Sequence, residues 1–293
     1  MIMYDVAVIG TGAAGISAVL TLKALNKELI WFGLPTLSSK ISAAEKIRNY
    51  PGLPYVSGSE MRETFLRQTQ EMGIEITPKT VTGIYPTGEH YSLLCGQEMF
   101  EAKAVILCAG VESVKPLPGE LAFVGRGVSY CATCDGFLYK GKTIAVECTA
   151  KELEHEIEYL ASLAAKVWLV PLYRNPEISA DNVEIIRKKP LAIEGTKKAE
   201  KLVFDDREIA VDGIFMLKQA IAPSVLLSGL ETADGHIVVD RNCATNQKGC
   251  FAAGDCTGRP YQYAKAVGEG NVAAHAAVDY LASLAKNDMI QKG

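Results

Sequence analysis

The apolar run Tyr4-Asp5-Val6-Ala7-Val8-Ile9 passes directly into Gly10-Thr11-Gly12-Ala13-Ala14-Gly15, and from Ile16 to Leu25 apolar residues recur at helical spacing. That order predicts a buried strand, a glycine turn and a helix, the setting in which Gly-x-Gly-x-x-Gly marks a dinucleotide site. Gly10 permits the tight turn, Gly12 lets the backbone approach a pyrophosphate, and Gly15 lets the helix pack on the strand. The helix N-terminus, at Ala13 and Ala14, then turns unpaired N–H groups and the positive end of its dipole towards the phosphates. A glycine turn in an unrelated α/β unit is the alternative.

With 293 residues the chain suits one large or two medium domains with proper cores. Its 48% hydrophobic and 22% charged content describe an ordinary soluble globular protein. A net charge of −4, without an arginine-rich stripe, excludes a nucleic-acid footprint. The apolar start is not a signal peptide, because Asp5 replaces a basic leader region and glycines interrupt the run. Eight cysteines in a chain this long fit reduced thiols, and so a cytoplasmic protein, better than a disulfide scaffold. Cys243, Cys250 and Cys256 match no iron–sulfur spacing and read as buried, inert thiols.

The chemistry is concentrated in Tyr130-Cys131-Ala132-Thr133-Cys134-Asp135-Gly136. Two thiols separated by two residues can close a disulfide or open to a dithiol that exchanges with another disulfide. Asp135 is close enough in sequence to hand a proton to a departing thiolate. Half of a zinc site has the same spacing, but no second pair follows at a metal-site distance, so redox chemistry ranks above metal binding.

The string Cys-Ala-Thr-Cys-Asp-Gly resembles the active-site loop of low-molecular-weight, flavin-dependent thioredoxin reductases. Other segments carry the resemblance along the whole chain. Asn49-Tyr50-Pro51-Gly52 is similar to the family's Asn-aromatic-Pro-Gly turn beside the flavin, and Val81 falls where the family places a backbone contact to adenine. Cys108-Ala109-Gly110, after the buried strand at Ala104–Leu107, resembles the small-residue turn that closes the first flavin-binding segment. Thr245 to Asp255 looks like the strand whose terminal Gly254-Asp255 holds the ribityl chain. Gln262 matches a family glutamine, although its arginine neighbour is Tyr261 here, and Tyr263 adds an aromatic that would cover the ring. Gly268 to Ala274 reads as the opening of the last helix, whose positive end would face a reduced flavin. Two further stretches depart from the pattern. Trp31-Phe32-Gly33 puts Phe32 and Gly33 where an acid would hold a ribose, and Ser38-Ser39-Lys40 replaces a Gly-Gly-Gln stretch.

The resemblance implies an α/β, two-domain flavoprotein disulfide reductase fold. Its FAD-binding, Rossmann-like domain is made of residues 1–112 and 241–293, and a smaller, degenerate nucleotide-binding-like domain carrying the cysteine pair is inserted at 113–240. Pro116 and Pro118 mark the linker. Within the FAD domain a helix over Met61–Met72 would bury Met61, Phe65, Leu66 and Met72, a strand would start at Gly73-Ile74-Glu75-Ile76, and hairpins would follow through Tyr91 and Phe100.

In the insert the resemblance to NADPH-linked members breaks. Lys142 to Val146 reads as a strand, yet Glu147-Cys148-Thr149-Ala150-Lys151-Glu152 stands where a glycine turn would hold pyrophosphate. After the next helix (Leu153, Ile157, Leu160, Leu163) and strand (Lys166–Val170), Pro171-Leu172-Tyr173 stands where a basic cluster would hold the 2′-phosphate. Negative charge and missing glycines argue against phosphate binding. The combination resembles the pyridine-nucleotide-independent, ferredoxin-dependent branch. It implies FAD as cofactor, ferredoxin as electron donor, thioredoxin as disulfide substrate and a homodimer, with Cys134 nearest the flavin, Cys131 exchanging with thioredoxin and Asp135 as acid. Lys40, Lys46 and Arg48, ahead of Arg187-Lys188-Lys189, are the expected docking cations. A dithiol oxidase running to oxygen and a degenerate, non-catalytic flavoprotein are the alternatives.

Overall fold

The computed structural model describes residues 2–42, 44–110, 116–218 and 223–291. The chain opens with strand β1 (Met3–Ile9), helix α1 (Ala13–Ala24) and strand β2 (Leu29–Phe32), paired parallel to β1. A single helical turn, α2 (Ser39–Ser42), precedes α3 (Gly58–Glu71). Ser57 caps α3 with a reciprocal capping box to Glu60, so the helix starts earlier than the apolar pattern alone suggests. Met61 and Phe65 are buried as expected, and Leu66 and Met72 pack against the same core while only partly buried. Residues Gly73–Ile76 form no strand. The segment reaches β2 through one bridge, Phe32 to Thr77, because the helix must first turn back at Gly73 (φ +63°). An antiparallel meander follows: β3 (Gly83–Thr87), β4 (His90–Cys95) and β5 (Glu98–Leu107). From Glu101 onward β5 runs parallel to β1.

The middle of the chain builds a second parallel sheet. Its elements are β6 (Val128–Ser129), the short helix α4 (Ala132–Asp135), β7 (Thr143–Cys148), α5 (Glu154–Leu163), β8 (Lys166–Pro171) and β9 (Val183–Ile185). An antiparallel trio, β10 (Ala192–Gly195), β11 (Ala199–Val203) and β12 (Glu208–Ala210), precedes β13 (Gly213–Leu217). β13 inserts between β6 and β7, giving the order β6-β13-β7-β8-β9. β7 runs on through Glu147 and Cys148, two residues beyond the expected strand, since both pair with β13.

The chain returns through α6 (Pro223–Leu226), the small hairpin β14 (Thr232–Ala233) and β15 (His236–Ile237), strand β16 (Cys250–Ala252) and the long α7 (Tyr263–Gln291). β16 lies parallel to the end of β5 and completes the first sheet. α7 begins at Tyr263, so Gly268 and Gly270 lie inside it and do not open it. Gly270 is needed there because a Cβ would stand 2.1 Å from the Ala14 carbonyl oxygen, which is how α7 packs on α1.

Two compact units result, Met1–Val111 with Ala222–Gly293, and Glu112–Ile221. Residues 223–240 thus cluster with the terminal unit and not with the insert. The reason is physical, since Leu227 bridges Ile84 and is fully buried. Pro116 to Pro118 belongs to the insert, where Ile193 N–H donates to the Pro118 carbonyl (2.8 Å). The terminal core joins Val6, Val8, Trp31, Ile106 and Phe251 to the α1 and α7 faces, and the insert's core gathers Ile144, Val146, Ile157, Leu160, Leu169 and Phe215. Among the described residues no helix is long and apolar enough to cross a membrane.

Candidate functional site

In the terminal unit four parallel strands end side by side, with Ile9 opposite Phe32 and Leu107, and Leu107 opposite Ala252. Just past those ends come Gly10, Gly33, Cys108-Ala109-Gly110 and Gly254-Asp255. This carboxyl edge of an open α/β sheet is where such folds take ligands. Gly10 has φ +111°, and a Cβ on it would lie 2.2 Å from the Cys108 carbonyl oxygen. On Gly15 it would lie 2.0 Å from the Gly10 oxygen. A Cβ on Gly12 would meet nothing within 4 Å, so that glycine opens space and does not fill it. No side chain caps α1 and its first turn holds no acid. Its leading N–H groups, at Ala13 to Gly15, are therefore left for an anion.

The departure at the end of β2 has a structural role. Trp31 is fully buried and its Nε1–H donates to the Gly10 carbonyl (2.9 Å), fixing the glycine turn. Phe32 packs edge-on against Phe100, and Gly33 (φ +148°) clears Thr11.

Three expected residues meet near α7. Asn49 donates its amide to Gln262 Oε1 (2.7 Å), across 213 residues of sequence. The Tyr263 hydroxyl contacts the Lys40 and Ile41 carbonyls (both 3.3 Å). Val81 stands apart, buried in the coil that leads into β3. Burial pushes the Asp255 carboxyl up, against the pull of Lys265 and Lys40. A hydroxyl donating to that carboxylate would offset the cost. The Gly254–Gly258 turn is held by two α7 residues that motif reading missed. Glu269 accepts from Gly254 N–H and the Thr257 hydroxyl (both 2.8 Å), while Lys265 donates to the Gly254 and Gly258 carbonyls (2.8 and 2.7 Å). The i, i+4 spacing of Lys265 and Glu269 is the signal that was available. Cys243, Cys250 and Cys256 are buried free thiols, pushed up to about 11, 12 and 12 mainly by desolvation.

These features fit FAD. Gly12 and the bare α1 terminus would take the pyrophosphate, Gly254-Asp255 the ribityl hydroxyls, and Asn49, Gln262 and Tyr263 the neighbourhood of the ring.

The second unit holds the redox loop. Cys131 and Cys134 form a disulfide, with Cα atoms 5.3 Å apart. Ser129 anchors the approach, since its hydroxyl oxygen accepts from Cys131 N–H (3.1 Å). Cys131 then caps α4, and Cys134 N–H donates to its Sγ (3.1 Å), an interaction that would stabilise a thiolate on Cys131. Cys131 is buried and Cys134 half-buried. Asp135 is half-buried too, and its charge helps push the Tyr139 phenol up, behind the larger effect of burial. Burial pushes the Glu156 carboxyl on α5 up, against the pull of His155 and the Ala132 backbone N–H. Behind it lies a buried ion pair, Glu120 with Lys218 (2.6 Å), to which the Tyr130 hydroxyl also donates (2.5 Å to Glu120). Among the described residues no histidine, cysteine or acid cluster forms that would hold a metal ion.

The turn from β7 to α5 is closed by the protein's own groups. Glu147 is buried, and Cys148 Sγ–H donates to the Ala150 carbonyl (3.2 Å). Tyr173, where a basic residue would recognise a 2′-phosphate, donates its hydroxyl to Glu154 Oε1 (2.9 Å), which also accepts from Glu177 N–H (2.9 Å). The first turn of α5 carries Glu154 and Glu156. Unlike the bare terminus of α1, this helix dipole already faces carboxylates.

The pyridine nucleotide-disulphide oxidoreductase model matches residues 4–167 and 174–270. The chain is 31% identical to the thioredoxin reductase of Treponema pallidum (strain Nichols), covering 96% of this chain and 98% of that one. Two crystal structures of a ferredoxin-flavin thioredoxin reductase from Clostridium acetobutylicum are similar throughout. One has 43% identity and a TM-score of 0.92, covering 97% of this chain and 99% of its own. The other has 47% identity and a TM-score of 0.87, covering 96% and 99%.

Proposed function

Since the chain belongs to the pyridine nucleotide-disulphide oxidoreductase family, we propose that it is a thioredoxin-disulfide reductase supplied with electrons by reduced ferredoxin and not by NADPH. FAD, when bound, supplies the exchange between one-electron and two-electron chemistry. The net reaction takes one electron from each of two ferredoxins and two protons, and converts a thioredoxin disulfide to its dithiol. Within it, the Cys131 thiolate attacks the thioredoxin disulfide, Cys134 resolves the mixed disulfide, and Asp135 exchanges the proton at the Cys134 sulfur. Cys134 N–H steadies the attacking sulfur. The driving force suffices, as ferredoxin near −400 mV and thioredoxin near −270 mV differ by about 130 mV, or about 6 kcal/mol for two electrons. The protein is expected to work as a cytoplasmic homodimer, as the resemblance implies.

The observation that carries the choice of donor is the contrast between two helix termini. α1 offers bare N–H groups beside an open glycine, whereas α5 presents Glu154 and Glu156, with Tyr173 bonded to the former. A diphosphate approaching α5 would meet like charge and a filled turn. The ferredoxin-flavin thioredoxin reductase similarity supports the same reading. The test is anaerobic bleaching of the flavin by NADPH, NADH and reduced ferredoxin in parallel. Only ferredoxin is expected to bleach it and to sustain thioredoxin reduction; rapid bleaching by NADPH would overturn the assignment.

A further inference from the structure

The loop 48–55 is pinned at its base by an antiparallel bridge between Ile47 and Val56, with Ile47 N–H donating to the Val56 carbonyl (2.7 Å). At its end Tyr55 adopts φ +61° and is 67% exposed. A bulky residue in the left-handed region carries strain that glycine would relieve, and this ring gains no burial in return. Two exposed cations flank it. Lys46 Nζ lies 5.5 Å and the Arg48 guanidinium 5.9 Å from the ring centroid. Among the described residues neither forms an ion pair, Glu45 next to them included. An exposed aromatic held outward between two uncompensated cations is built for an anionic surface with an apolar centre.

Two of the other expected docking cations do different work. Lys188, the centre of Arg187-Lys188-Lys189, is bridged to Asp205 and Asp206 (3.1 and 2.9 Å). Lys40 sits towards Gly110 and acts on Asp255, inside the cofactor cradle. Among the described residues, Lys46 and Arg48 are the expected docking cations that lie over an exposed ring, and their loop also carries Asn49, bonded to Gln262.

Resting on the donor reading above, we propose that Lys46, Arg48 and Tyr55 form the docking platform for the acidic, one-electron iron–sulfur donor, with the ring at its centre and the cations steering it. The charge is complementary, and the loop leads from the platform to the Asn49–Gln262 contact of the flavin cradle.

The test uses the flavin-loaded full chain with a low-potential bacterial ferredoxin, photoreduced for kinetics and oxidised for binding. The K46E/R48E double variant is expected to bind oxidised ferredoxin about tenfold or more weakly, to be reduced more slowly by the same factor, and to lose most of the salt dependence seen in the wild type. Tyr55→Gly, which suits φ +61°, should fold at least as well yet weaken binding several-fold. Lys188→Glu should change neither value, and dithionite should bleach every variant at the wild-type rate. A wild type that ferredoxin neither binds nor reduces overturns the donor assignment and this site together. A wild type reduced normally beside an equally fast, equally tight K46E/R48E variant overturns the site alone.

Discussion

Replacing Glu120 by leucine removes the one carboxylate on which three groups behind the redox loop converge. Its Oε1 takes the Lys218 ammonium at 2.6 Å and the Tyr130 hydroxyl at 2.5 Å, and its Oε2 takes Leu117 N–H at 2.8 Å. Both members of the ion pair are shielded, with side chains 0% (Glu120) and 2% (Lys218) exposed. Removing one partner of a buried pair costs about 3–5 kcal/mol, because the remaining charge keeps its desolvation penalty and loses its attraction to that partner. That is a large share of the roughly 5–15 kcal/mol that holds a domain together. Replacing Lys218 by methionine as well removes the charge that lost the Glu120 carboxylate, and what remains is the loss of that acceptor by the Tyr130 hydroxyl and Leu117 N–H, at about 1–3 kcal/mol each. The double variant should therefore be more stable than the Glu120→Leu single variant. Urea unfolding reads this unit separately, with Trp168 emission following the insert and flavin release following the terminal unit. At ordinary slopes the single variant's insert transition should fall by roughly 2 M urea while flavin release barely moves. A shift below about 0.5 M, or a double variant less stable than the single, would refute the reasoning.

The two glycines of the first turn should separate folding from cofactor binding. Gly15→Val drives a side chain into the Gly10 carbonyl and should abolish soluble protein, whereas Gly12→Val should fold but purify with little flavin, as the flavin-to-protein absorbance ratio would report. Glu156 tests a pH dependence. Burial raises its carboxyl above the reference 4.5, so its ionisation opposes folding above the folded pKa and has no such effect below the unfolded one. Thermal unfolding should accordingly show Glu156→Gln gaining on the wild type from acid towards neutral pH, the gain vanishing by about pH 4; a gain independent of pH would rule this out. For the cysteines, Cys134→Ser should trap thioredoxin as a mixed disulfide through Cys131, and Cys131→Ser should give a long-wavelength flavin band; the reverse pattern would exchange their roles.

Local rules carried the first βα unit, because a strand, a glycine turn and a helix are contiguous in sequence and each glycine answers a nearby backbone atom. The disulfide pair was legible for the same reason, as were the missing glycines after β7. Longer-range facts were not. Gly270 lies inside α7, which starts at Tyr263, and packs against Ala14, a residue far from it in the chain. The grip of Lys265 and Glu269 on the Gly254 turn, the Asn49–Gln262 contact and the Glu120–Lys218 pair each join segments that only folding brings together. The basic residues make the same distinction most sharply. Lys40, Lys46, Arg48 and Lys188 are equivalent as letters, but tertiary structure turns one towards Asp255, neutralises another with Asp205 and Asp206, and leaves two stacked on an exposed ring. Sequence determines which charges are present; packing decides which of them still have charge to offer, because a cation's field reaches a partner only where no carboxylate already holds it.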